Sequence, residues 1–114
     1  EALGRAGALL VDEGREVSIW HASVPGGDSH AGTTETSLLL HLDPDCVRRD
    51  RIQPGSTSRW REIGEEIIAG GLSRVTANGV LGDPTTASAS SGAAVFDALV
   101  TDLTAWVLAH HGPG

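Results

Sequence analysis

Hydrophobic positions recur at helical spacing near both ends of the chain. Residues 2–12 carry apolar side chains on one face, and this pattern ends before Gly14, which predicts a first helix. From Ala87 or Ser88 onward, apolar residues recur every three or four positions for several turns. The second pattern predicts a long amphipathic C-terminal helix that frays through His110 to Gly112.

The pattern between these two helices mixes helical and strand-like segments. Residues 33–42 and 59–69 have helical spacing and predict two shorter helices. Two short β-rich runs, residues 16–21 and 72–77, predict strands. A helix, a glycine turn and a strand in succession are typical of an α/β fold, but two strands do not form a stable open sheet. We therefore expect the chain to be the C-terminal part of a single, larger α/β domain.

Two loops rich in glycine and proline separate these elements. Residues 22–30 leave the first predicted strand at its C-terminal end, the edge at which α/β sheets bind ligands. Residues 78–84 (NGVLGDP) contain two strong turn signals. Four hydroxyl residues follow the first loop and are expected to cap the first turn of the helix that begins there: Thr33, Thr34, Thr36 and Ser37.

The composition suggests that the core of this chain is incomplete. The sequence contains no Met, has 15 Gly among its 114 residues, and is only 4% aromatic. Because large side chains fill a core, we expect a partner chain or further N-terminal sequence to supply apolar surface.

Charge and cysteine content narrow the class of protein. Eight Lys and Arg against 15 Asp and Glu give a net charge of −7, which disfavours nucleic-acid binding because phosphate contacts need clustered cations. The one tight basic cluster, Arg48, Arg49 and Arg51, is interpreted as a solvated helix end. Cys46 stands alone, which fits a reducing, cytoplasmic compartment. Since no apolar run approaches about 18 residues and no signal peptide opens the chain, we expect a soluble protein without a membrane partner.

His30 and Glu35 are the residues best suited to chemistry. A histidine at a loop-to-helix junction can act as a metal ligand or as a general acid or base, because its ordinary pKa lies near neutrality. A carboxylate in the first turn of a helix is stabilised as the anion. The same pairing also occurs as a simple helix-capping arrangement, so the residue types alone leave both interpretations open.

Two sequence blocks resemble those of a known family. Residues 26–40 (GGDSHAGTTETSLLL) resemble the H-A-G-x-x-E-T-S signature of the creatininase (creatinine amidohydrolase) family. Residues 78–89 (NGVLGDPTTASA) resemble the later G-V-x-G-D-P-x-x-A-S block of that family, in the same order. Within the family, the closest resemblance is to members that cleave a small modified precursor peptide.

The resemblance implies a three-layer α/β/α hydrolase, commonly a hexamer, with two divalent metal ions that could be zinc, iron or manganese. By position, His30 matches the active-site histidine of the family, and Glu35 matches the signature carboxylate, which either binds metal or orients His30 or the substrate. The main metal-ligand segments of the family do not occur in this sequence. We therefore expect the chain to need the N-terminal half of the same protein as a partner, and to be inactive alone.

Gly26 stands where family members that open the creatinine ring carry an aromatic lid residue. An open site suits a peptide better than a small flat ring, so we expect a peptide substrate contacted by Gly26, Gly27 and Asp28. His21 and Asp83 are expected to support the site from beside it, although Asp83 can instead simply fix its turn.

Two other functions stay open from the sequence. One is hydrolysis of a small cyclic or linear amide by the same kind of site. The other is a non-catalytic role, in which Trp106 and the amphipathic C-terminal helix bind another subunit.

Overall fold

The computed structural model describes residues 2–112, and its regular elements are helical. Four α-helices are present in this range: α1 (Ala2–Asp12), α2 (Thr33–Leu42), α3 (Trp60–Gly70) and α4 (Ala89–His110). Each lies within about two residues of a helix predicted from hydrophobic spacing. The helical part of the prediction is therefore confirmed.

Neither of the two predicted strands forms within residues 2–112. Residues 16–21 have no ladder partner within the described residues, and Leu72–Arg74 is a short 3₁₀ turn. In that turn the backbone N–H groups of Val75 and Thr76 both donate to the carbonyl of Leu72. A β-rich run becomes a strand only when a neighbour accepts its hydrogen bonds, and here a local turn satisfies them instead. The three-layer α/β/α arrangement is accordingly not seen in residues 2–112.

Contacts divide the chain into two compact units. The first joins residues up to 23 with residues from 99 onward, and the second comprises residues 24–98. Helix α4 contributes its first part to the second unit and its remainder to the first. Each unit is described by itself below.

The first unit is held by α1 and by the segment that follows it. Gly7 is the buried residue of α1, and a Cβ there would lie 3.1 Å from the Ile19 side chain. The Trp20 indole N–H donates to the Asp102 carboxylate of α4 at 2.7 Å. Several large apolar side chains of α1 nevertheless remain more than half exposed: Leu3, Leu9 and Val11. This unit buries little of the apolar surface that its sequence carries.

The second unit contains the buried large apolar side chains of the described residues. Leu40, Ile63 and Leu81 are at most 7% exposed, and the polar Ser37 is 1% exposed. The Ser37 hydroxyl accepts a hydrogen bond from the backbone N–H of Ser88, at the start of the chain that leads into α4. Its buried oxygen is thus satisfied, as buried polar groups require.

Helix α4 is long and apolar enough to cross a membrane, judged by length and composition alone, and little of it is buried. Its 22 residues also include Asp97 and Asp102, and the Asp102 carboxylate is bound to Trp20. A soluble protein's core helix passes the same criterion of length and composition. The expectation that the protein has no membrane partner stays a prediction.

Helix α4 lies very close to helix α2 at Gly92. A Cβ at this position would lie 1.9 Å from the Ser37 carbonyl oxygen, so Gly92→Ala must force the two helices apart. We expect a loss of about 1–3 kcal/mol in the free energy of unfolding of the complete protein, measured by urea denaturation.

The matched control is Gly4→Ala in α1, where no atom lies within 4 Å of an added Cβ. Because alanine favours a helix over glycine, this control should gain up to about 1 kcal/mol. Equal stability of the Gly92→Ala variant and the wild type would contradict the close packing of α2 against α4.

Candidate functional site

The two sequence blocks meet through a backbone bridge between His30 and Leu81. The His30 N–H donates to the Leu81 carbonyl at 3.1 Å, and the Leu81 N–H donates to the His30 carbonyl at 2.9 Å. This antiparallel pair is an isolated bridge, and the Leu81 side chain is 4% exposed. The second block therefore fixes the backbone that carries the candidate catalytic histidine.

A third segment, residues 55–56, forms backbone hydrogen bonds with Val80 and Gly82, the two neighbours of Leu81. The Gly55 N–H donates to the Gly82 carbonyl, and the Ser56 N–H donates to the Val80 carbonyl, both at 3.0 Å. A Cβ at Gly55 would lie 2.0 Å from the Val80 carbonyl oxygen, so only glycine allows this approach. Residues 80–82 thus lie between two partners, one of which is His30.

The side chains of His30 and Glu35 lie together. His30 Nδ1 is 3.4 Å from Glu35 Oε2, and both side chains are 53% exposed. The same carboxylate oxygen accepts a hydrogen bond from the backbone N–H of Ala31 at 2.6 Å. A carboxylate facing Nδ1 favours the tautomer with the proton on that nitrogen, which leaves Nε2 able to accept a proton. The arrangement can therefore take up or release a proton at an accessible imidazole.

Ala31 shapes the turn between these two side chains. Its φ of 53° is left-handed, and it is the one described residue other than glycine with a positive φ. Such a backbone conformation is costly for a residue with a Cβ and is found where the surrounding contacts impose it. Here the imposing contacts are the His30 bridge on one side and the Glu35 carboxylate on the other.

Asp28 caps helix α2, a role that was expected from Thr33 and Thr34. Its carboxylate accepts hydrogen bonds from the backbone N–H groups of both threonines, at 3.0 Å from Thr34. Burial raises the pKa of Asp28, but the hydrogen bonds from Thr34 and Thr33 outweigh it and hold the pKa below its ordinary value. The predicted contact of Asp28 with substrate stays a prediction, while its structural role is clear.

Two glycines leave room for that carboxylate. A Cβ at Gly32 would lie 1.7 Å from Asp28 Oδ2, and a Cβ at Gly82 would lie 2.6 Å from the same atom. Gly82 belongs to the second sequence block, so this block contacts both His30 and Asp28.

Asp83 fixes the turn that follows the bridge. Its carboxylate accepts hydrogen bonds from the Thr85 hydroxyl at 2.6 Å and from the Thr85 N–H at 2.9 Å. These bonds, the hydroxyl first, hold the pKa of Asp83 below its ordinary value. The Asp83 carbonyl also accepts a hydrogen bond from the Thr33 hydroxyl of α2. The turn-fixing role considered from the sequence is confirmed, and a further supporting role beside the site stays a prediction.

The remaining predicted site residues are exposed. Gly26 has a φ of 75° and no atom within 4 Å of an added Cβ, whereas a Cβ at Gly27 would lie 3.0 Å from the Val24 carbonyl oxygen. His21 is exposed and belongs to the other compact unit. The roles proposed for these three residues stay predictions.

Two cavities adjoin the signature loop, residues 26–32 of the first sequence block. One, of about 250 Å³, is lined by three predicted site residues, Gly27, Asp28 and Asp83, together with residues 56–59. The other, of about 300 Å³, is lined by Ala31, Thr36, Arg48 and Arg51 among others. The sequence patterns did not single out the two arginines as part of a site, because an arginine-rich turn is usually solvated.

No metal centre is assembled by the described residues. Within residues 2–112 no three side chains of His, Cys, Asp or Glu converge on a position where they could hold one ion. Zinc sites in proteins typically use three or four protein ligands, so His30 and Glu35 do not suffice. A dinuclear centre does not fit these residues alone.

Sequence comparison identifies the family. A sequence model of the creatininase family, described as creatinine amidohydrolase, matches residues 7–107. The chain belongs to the creatininase family. The resemblance noted from the two sequence blocks is therefore confirmed.

Curated relatives in this family are closely similar over the matched region. The mycofactocin precursor peptide peptidase of Mycolicibacterium smegmatis is 46% identical over 100 residues, which cover 88% of this chain and 40% of the relative. The protein of the same name from Mycobacterium tuberculosis is 46% identical over 101 residues, covering 89% of this chain and 40% of the relative. The chain thus spans about two-fifths of the length of these relatives.

A solved structure supports a creatininase-like fold. It is a Bacteroides fragilis protein described as a creatinine amidohydrolase, with a TM-score of 0.58 and 24% sequence identity. The match covers 74% of this chain and 36% of that protein. At this identity the likeness concerns the fold alone.

The Asp28 cap predicts a pH dependence of stability. Because the pKa of Asp28 is lower in the folded state than its ordinary value of 3.8, its carboxylate stabilises the fold above that pH. The contribution is lost as the pH falls through the folded-state pKa. Asp28→Asn should cost about 1 kcal/mol in the free energy of unfolding at pH 7, and should lessen the further loss below pH 4.

Urea denaturation of the complete protein between pH 7 and pH 3 measures this effect. Asp45→Asn, which removes one negative charge at an exposed position, is the control for net charge. An Asp28→Asn profile parallel to that of the wild type would contradict the stabilising role of the carboxylate.

Proposed function

We propose that the complete protein is a metal-dependent peptidase that cleaves an amide bond near the C-terminus of a modified peptide of the mycofactocin precursor type. The family assignment supports an amidohydrolase. The names of the 46% identical relatives support this peptide as the substrate.

The observation that carries the proposal is the exposed pair of His30 and Glu35. In the proposed reaction, Glu35 favours the proton on His30 Nδ1, so that His30 Nε2 first accepts a proton from the attacking water. The imidazolium formed in this way then returns that proton to the leaving amine. The bridge to Leu81 fixes the backbone of His30, and the Ala31 N–H holds the Glu35 carboxylate. Glu35 therefore acts as a positioning residue, and His30 acts on the substrate.

The metal ligands in this proposal lie elsewhere in the protein. Bound divalent ions would supply an activated water and stabilise negative charge on the carbonyl oxygen. Zinc, iron and manganese are all compatible with the family resemblance. The cytoplasm is the proposed compartment, in keeping with the exposed free thiol of Cys46.

The exposed apolar side chains of the first unit suggest where further chain is bound. Leu9 of α1 is 66% exposed and Leu108 of α4 is 61% exposed. We propose that the N-terminal half of the same protein, or another subunit of a homo-oligomer such as a hexamer, covers these side chains. A role for α4 in assembly is compatible with the peptidase function.

The open backbone at Gly26 favours a peptide over a small ring. No described atom lies near the position of its missing side chain, so nothing there encloses a small substrate. The competing activity is hydrolysis of a small amide such as creatinine, which the description of the family favours.

His30→Ala in the complete, metal-replete protein should lower kcat on the modified peptide by about 10² to 10⁴-fold, because the proton donor to the leaving amine is lost. Peptide cleavage is followed by liquid chromatography and mass spectrometry. His41→Ala, at an exposed position in the last turn of α2, is the matched control and should leave kcat unchanged. Near-normal turnover by His30→Ala would overturn the catalytic role, and turnover of creatinine but not the peptide would favour the competing activity.

Glu35→Gln separates positioning from direct catalysis in the same assay. The amide keeps the shape of the side chain but loses its charge, so we expect a smaller fall in kcat together with a shifted pH–rate profile. An unchanged pH–rate profile would indicate a structural role for Glu35 only.

Gly26→Trp places an aromatic side chain at the position of the lid residue and tests whether an open site is needed for the peptide. The change should raise KM for the peptide several-fold, because an indole there obstructs an extended chain. Gly26→Ala is the matched control, since it suffers the same strain at a φ of 75° but adds no lid. Equal KM values for the two variants would contradict the importance of an open Gly26.

A further inference from the structure

The cavity of about 300 Å³ beside the signature loop has an unusual charge for this chain. Two arginines, Arg48 and Arg51, line it, and none of its lining residues is acidic. The whole sequence has only 8 Lys and Arg against 15 Asp and Glu. A cavity lined by two cations and no anion is therefore a local exception in an acidic protein.

The backbone explains why these two arginines share one side. Arg49–Arg51 is a 3₁₀ turn, and the Arg51 N–H donates to the Arg48 carbonyl at 2.9 Å. Arg48 is the residue immediately before this turn, and the hydrogen bond brings its backbone close to Arg51. Both arginine side chains line the cavity, whereas Arg49 is not among the lining residues.

Among the described residues 2–112, the charge of Arg48 and Arg51 is only weakly neutralised by carboxylates. The nearest approach of Arg51 to a carboxylate is 3.9 Å, to Asp50, and both side chains are more than 60% exposed. Such an exposed pair is weak. The other walls include Leu39, Val47 and Ile52, and low-dielectric walls strengthen the attraction of a cavity for an opposite charge.

The cavity also adjoins the candidate catalytic pair. Ala31, which follows His30, and Thr36, which follows Glu35, both line it. A group bound there would belong to the part of a substrate that flanks the reacting bond.

We propose that Arg48 and Arg51 form a subsite that binds a carboxylate of the peptide substrate, from either an acidic side chain or the peptide C-terminus. This inference rests on the proposed peptidase function and adds to it the substrate class, an anionic peptide. Guanidinium groups bind carboxylates through paired N–H donors, which gives orientation as well as affinity.

The test uses three synthetic peptides and the complete, metal-replete protein. The first peptide has Glu beside the scissile bond, the second has Gln at those positions, and the third is the Glu peptide with an amidated C-terminus. Arg48→Gln/Arg51→Gln is the double variant, and Arg49→Gln, on the same turn but outside the cavity, is the matched control. Thermal unfolding checks that the variants remain folded.

The double variant should raise KM for the first peptide about tenfold, with kcat changed less than twofold, while Arg49→Gln should change neither. A smaller effect on the second peptide identifies the side-chain carboxylate as the ligand, and a smaller effect on the third identifies the C-terminus. Effects of the double variant and the control that agree within twofold on all three peptides would overturn the subsite.

Isothermal titration calorimetry with the first peptide separates failure of the subsite from failure of the proposed function. If the wild type cleaves neither these three peptides nor the modified peptide of the proposed function, the peptidase proposal fails. A tenfold weaker Kd in the double variant would then still support the subsite. An equal Kd, or no binding to the wild type, would overturn it.

Discussion

The candidate site depends on a pair of backbone hydrogen bonds between His30 and Leu81. These two bonds join sequence blocks that are about fifty positions apart, and they place the catalytic candidate against a buried leucine. Because residues 80–82 are also bound by Gly55 and Ser56, the bridge is supported from its other side. A loop rich in glycine thereby gains a defined geometry without belonging to a sheet.

Much of the helical structure could be predicted from the sequence, and the local details of the site could not. Hydrophobic spacing located α2 and α4 because a helix that buries one face has a regular period. The β-rich residues 72–77 were predicted as a strand but form a turn, because strand formation depends on a partner that a single segment does not reveal. The cap of α2 also escaped prediction, because Asp28 reaches across a glycine loop from five residues before Thr33.

The pairing of His30 with Glu35 was expected from the sequence, and the structure adds the geometry of their contact. One oxygen of that carboxylate serves both the imidazole and the Ala31 N–H, an arrangement suited to orientation. The sequence motif supplied the residue types, and the family assignment supplied the class of reaction. Arg48 and Arg51 could be considered as binding residues only from the cavity that they line, since their spacing in the sequence resembles that of many solvated turns.

The left-handed backbone of Ala31 affects both the stability and the flexibility of the loop that carries His30. Glycine would adopt the same φ at lower energy, yet glycine would also let the loop sample other directions. Alanine in this conformation costs about 1 kcal/mol of folding free energy, and it leaves the backbone of the loop fewer alternative conformations. The turn thus combines a local loss of stability with a more restricted backbone beside the candidate catalytic histidine.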